Sequence, residues 1–134
     1  MSVIKSLQDY FNEYEGIEIL TDRTEESESI ALFPTGNPSH TEDTIGNKYY
    51  TRSYQMLFKK PAFEEKTRQA NYTWLEDFCD WMEQQVDDEK YPDLGNSIRI
   101  TEFSISNLLL WDADPAFKLA VYSVQINITY IKEV

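Results

Sequence analysis

Hydrophobic and polar positions change period inside one block of the chain, residues 48–85. From Lys48 to Lys59, Tyr50, Tyr54, Met56 and Phe58 share one side at every second position, the pattern of a half-buried strand. From Glu65 to about Gln85, Ala70, Trp74, Phe78, Trp81 and Met82 recur at three- and four-residue steps. Glu76, Asp77, Asp80 and Glu83 fill the rest of that circumference. The change of period predicts an aromatic strand packed on an amphipathic helix.

Other segments follow the same logic. Ser2 can cap a first helix with Val3, Ile4, Leu7, Tyr10, Phe11 and Tyr14 as its stripe, and Gly16 is placed to end it. Thr21–Glu28 reads as a solvated acidic turn. Ser29–Phe33 reads as a short strand stopped by Pro34. The breaker-rich stretch 34–47 then predicts a long flexible loop. Ile98, Ile100, Phe103 and Ile105 alternate with a phase slip at Thr101-Glu102, which predicts a β-bulge. Asp112-Ala-Asp-Pro115 reads as a turn before a closing strand, in which Ala120, Tyr122, Val124, Ile126, Ile128 and Tyr130 alternate without a fault. The expected fold is a single α+β domain over residues 1–134, a mixed or antiparallel sheet flanked by an N-terminal helix and a long central helix.

Composition supports a packed core, with 41% hydrophobic and 14% aromatic residues. The net charge of −12 opposes nucleic acid or an anionic membrane as the main partner, and only Lys59-Lys60 are adjacent among the basic residues. No apolar run approaches the roughly 20 residues of a membrane span. The N-terminus lacks the apolar stretch of a signal peptide, so synthesis in the cytoplasm is expected. A single cysteine, Cys79, excludes an internal disulfide and a Cys-based zinc site.

Chemistry is sparse. The one histidine, His40, falls in the breaker-rich stretch and reads as an exposed loop side chain. Acids at Asp77 and Asp80 flank Cys79 and disfavour a thiolate. Four glycines leave little room for a phosphate-binding loop. Asp112 and Asp114 lack the further oxygen ligands of a calcium loop. Trp74 and Trp81, seven apart on one helix face, read as core rather than as a stacking platform. Neither an enzyme nor a cofactor or metal is expected.

Four segments in order carry a resemblance. They are Phe78-Cys-Asp-Trp-Met-Glu-Gln-Gln85, Tyr91-Pro-Asp-Leu-Gly95, Leu110-Trp-Asp-Ala-Asp114 and the strand Tyr122-Ser-Val-Gln-Ile-Asn-Ile-Thr-Tyr130. The chain resembles, over roughly its last ninety residues, a family of small proteins from prophages of Gram-positive bacteria usually labelled minor capsid protein. It departs from that pattern at Asp114-Pro115, where the family tends to Asp-Gly.

The family is similar to tail terminator (tail completion) proteins. The resemblance implies a homo-oligomer, a hexameric ring capping the head-proximal end of a phage tail or of a phage-tail-like bacteriocin. Its implied partners are the tail tube protein and, beyond it, a sheath protein and a head–tail connector. DNA would pass through without specific binding, and no membrane is involved. The implied place is the virion tail or tail-like particle, assembled in the bacterial host cytoplasm. This reading assigns contact with a neighbour or the tube to Asn37, Pro38, His40, Asp43, Ile45, Arg52 and Lys59, and core anchoring to Trp74, Phe78, Trp81, Tyr122 and Ile126. A head–tail connector or head completion protein is the alternative of the same class. A small ligand-binding domain or enzyme using Trp74, Trp81 or His40 is the alternative of another.

Overall fold

Two long alternating strands form the centre of the sheet. In the computed structural model, which describes residues 3–21, 29–61, 65–114 and 119–132, helix α1 (Val3–Asn12) precedes strands β1 (Leu20–Thr21), β2 (Ser29–Glu42) and β3 (Lys48–Pro61). Helix α2 (Glu65–Asp87) and strands β4 (Ile98–Asp114) and β5 (Leu119–Lys132) follow. The sheet order is β1-β2-β3-β5-β4. β1 runs parallel to β2 and every other pair is antiparallel, so the sheet is mixed and the fold is α+β. β3 and β5 pair without a register fault from Lys48↔Lys132 to Pro61↔Leu119.

Period-two burial on these strands gathers Tyr54, Met56, Phe58, Tyr122, Val124, Ile126 and Ile128 onto one face. Leu7, Tyr10 and Phe11 of α1, with Leu75, Phe78 and Met82 of α2, complete the same cluster. Both helices therefore cover one face. Among the described residues, no helix packs on the other. No helix among them is long and apolar enough to cross a membrane.

Several expectations are corrected. Residues 34–42 are not a loop: they continue β2, paired with β3 through Glu42↔Lys48, with a register shift between Thr35 and Ser39. Only residues 43–47 turn the chain. Pro34 does not stop the strand. It stands opposite Tyr54, and among the described residues β2 has no second neighbour beyond Leu32 that would need an N–H, so an edge proline is tolerated. Asp112 and Asp114 are not a turn but the end of β4, opposite Val121 and Leu119. The bulge expected at Thr101-Glu102 is present as a register shift between Ile100 and Glu102. Ser2 and most of the acidic turn, from residue 22 on, lie outside the described residues.

On α2 the buried stripe is Asn71, Leu75, Phe78 and Met82, and Ala70 is exposed. The stripe is rotated from the expected one because Asn71, although polar, is satisfied inside. Its Nδ2 donates to the Pro61 carbonyl at 2.7 Å, fastening the helix start to the end of β3. Leu75 then follows one turn later.

Candidate functional site

Residues assigned to contact and to anchoring fall in different places. Phe78, Tyr122 and Ile126 are fully buried, whereas Trp74 and Trp81 are only partly buried and flank the cluster. They sit on the rim because Tyr14, just beyond α1, wedges between them, 5.7 and 5.2 Å from the two rings. Trp74 also donates from its indole Nε1 to Glu15 Oε2 at 2.9 Å, and Lys60 lies over its ring at 4.1 Å. Both indoles are used in packing.

At the tip of the β2–β3 hairpin, Asp43 Oδ1 accepts from the N–H groups of Ile45 and Asn47, and Oδ2 accepts from the Tyr49 hydroxyl at 3.0 Å. Desolvation pushes the Asp43 carboxyl upward, but these bonds outweigh it and hold the group below the ordinary carboxylate range. Asp43 thus shapes the turn that displays Ile45, which is 74% exposed. The side chains of Asn37 and Pro38 lie outside the described ones. Lys59 is 11 residues along β3 from Lys48, about 36 Å at strand rise, so it cannot share a site with the tip.

Arg52 does lie toward that tip, on the helix-bearing side of the sheet. Lys48, Tyr50 and Arg52 alternate on β3, with Lys132 directly opposite Lys48 and Tyr130 opposite Tyr50. His40 stacks on Tyr50 at 5.4 Å and Tyr50 on Tyr130 at 5.2 Å. Arg52 Nε donates to the Tyr130 hydroxyl at 2.8 Å, and Lys132 lies over the Tyr50 ring at 4.9 Å. Arg52, Tyr54, Tyr130 and Lys132 line a cavity of about 450 Å³ beside Val3 and Ile4 of α1. Lys48 does not line this cavity but stands opposite Lys132 at its side; sequence reasoning missed the resulting basic cup, since the two lysines meet only through the β3–β5 register.

Two further surfaces were not anticipated. The helix-free face of the sheet carries Thr51, Ser53 and Gln55 of β3 beside Ser123, Gln125, Asn127 and Thr129 of β5. These uncharged groups bond to one another: Ser53 Oγ donates to Asn127 Oδ1 at 2.8 Å, Gln55 Nε2 to Ser123 Oγ at 3.0 Å and Gln125 Nε2 to Asn127 Oδ1 at 3.2 Å. The sequence signal was present as the polar half of two alternating strands. The second surface is an open groove of about 480 Å³ between α2 and β4, lined by Glu76, Cys79, Asp80, Glu83 and Val86 opposite Phe103–Ser106.

Burial, then Asp80 and Glu76, raise the Cys79 thiol above its ordinary pKa. His40 stacks at the far end of β3 and shares no contact with Cys79. Among the described residues no group of three or more His, Cys, Asp or Glu side chains could hold a metal ion. No protein-family model matches the chain, and no curated protein matches it.

Proposed function

We propose that this chain is a structural tail protein, a tail terminator whose ring caps the head-proximal end of a phage tail or of a tail-like bacteriocin. The observation that carries this reading is the uncharged, internally hydrogen-bonded patch of β3 and β5 at the centre of the helix-free sheet face, in a chain of net charge −12. Subunits with that charge repel, and can be brought together only through surfaces free of carboxylates or matched by cations. A polar patch whose side chains bond to one another suits contact with another protein better than capture of a small ligand, which needs a concave apolar pocket. The order of motifs in the C-terminal ninety or so residues supports the same reading by resemblance. The ring would end tube polymerisation and present the head-joining surface, with DNA passing unbound.

The test mixes purified protein with tail tube protein from the same gene cluster and images the product. Rings alone, and tubes of limited length capped at one end, are the expected result. Rings that bind a portal or head connector and ignore the tube would make the chain a head completion protein. A monomer that never alters tube length would end the proposal.

A further inference from the structure

Resting on the ring reading, we infer that neighbouring copies join head to tail, the acidic stripe of α2 in one copy entering the basic cup of the next. Glu76, Asp80 and Glu83 stand four and three residues apart, so they share one helix face and wall the groove beside β4. All three are exposed, and among the described residues none forms an ion pair. Among the described residues the outer edge of β4 has no strand partner there either, and its register is regular from Glu102 to Ser106, between two irregularities. That open, unbulged edge is alongside the acidic wall.

The cup supplies the opposite charge. Lys48 and Lys132 are directly opposed across the β3–β5 ladder, an arrangement that destabilises a sheet unless an anion offsets it. Arg52 stands four residues from Lys48 on the same side. Glu42 faces Lys48 across the hairpin, yet forms no ion pair with it. None of the three cations has a carboxylate partner among the described residues. The dimensions agree: Glu76 to Glu83 spans about 10 Å of helix, and Lys48 to Arg52 about 13 Å of strand.

Stripe and cup share no residue, so a copy whose stripe is occupied still offers its cup, and the contact can run head to tail as a heterologous one. Heterologous contacts that close generate rings. The second copy is therefore the occupant that the two unpaired patches select.

A charge exchange tests this. Asp80→Lys with Glu83→Lys defines one variant, and Lys48→Glu with Lys132→Glu the other; all four positions are exposed. Circular dichroism should show both folded, and native mass spectrometry should show each as monomer. Mixed in equal amounts they should recover rings in which the two strictly alternate, because each junction then joins opposite charges. The milder pair Asp80→Asn with Glu83→Gln should weaken rings without touching the fold. Rings formed by either charge-reversed variant alone, or folded variants that never recover on mixing, would overturn this contact and leave the ring reading standing. A wild-type chain that is monomeric throughout would remove the ring reading and the contact together.

Discussion

Phe78 and Trp74 stack at 6.0 Å with nearly parallel rings, yet they differ in environment. Phe78 is fully buried and touches Phe11, Tyr14 and Phe58, so truncation leaves a cavity. Phe78→Ala is expected to lower stability by about 3–5 kcal/mol. Trp74→Ala, on the rim, should lose about 0.5–3 kcal/mol. Urea titrations that rank the two in the opposite order would contradict the rim placement. Tyr10 adds a pH effect. Its ring is buried and its hydroxyl donates to the Lys90 carbonyl at 2.7 Å. Burial pushes its pKa up from 10.0 to about 12. The folded state then holds a proton that the unfolded state releases, so this stability is whole below pH 10 and fades as pH rises toward about 12. Tyr10→Phe should flatten part of that alkaline decline, leaving a remainder because burial also raises Tyr54. Unfolding midpoints measured between pH 9 and 12 check it.

At the scale of elements, the β2–β3 hairpin changes what a deletion would do. Removing residues 37–43 would cut the distal half of a paired strand and unsettle the sheet, rather than shorten a loop. The tip is the separable part, because Asp43 closes the turn and Ile45 projects from it. Ile45→Asp should leave the thermal transition nearly unchanged, since the side chain buries little. If the tip touches a neighbour or the tube, the same variant should bind tube protein more weakly. A variant with unchanged tube capping would exclude the tip from the contact. The phase slip at Thr101-Glu102 was legible because a bulge shifts the period within a single strand. The distal part of β2 was not legible, because Pro34, Gly36 and Pro38 are read as breakers unless an adjacent strand supplies the pairing.

Across the whole molecule, two electrostatic ranges compete. The net charge of −12 repels copies at long range, while the proposed stripe–cup contact would attract at close range. Screening reaches about 10 Å at 0.1 M salt and about 3 Å at 1 M. Distant repulsion is therefore removed first and contact pairing later. Ring assembly should rise from low salt to about 0.15 M and fall again toward 1 M, a profile that light scattering can follow. Assembly that only rises would point to uncharged surfaces as the joint. DNA should not be retained at any of these concentrations, as binding phosphate needs cations in excess.

The sequence by itself determined the α+β class, both helices, the two central strands and the presence of only one histidine and one cysteine. Each is written in local periodicity or in residue counts. Only the tertiary structure decided that both helices share one face and that 34–42 is strand. It also decided that Asn71 belongs to the buried stripe. The basic cup depends on it most: Lys48 and Lys132 are 84 residues apart in the chain, and become neighbours only through the antiparallel register. Local pattern says which side of a strand is buried, but the pairing partner is a long-range choice that no short window contains.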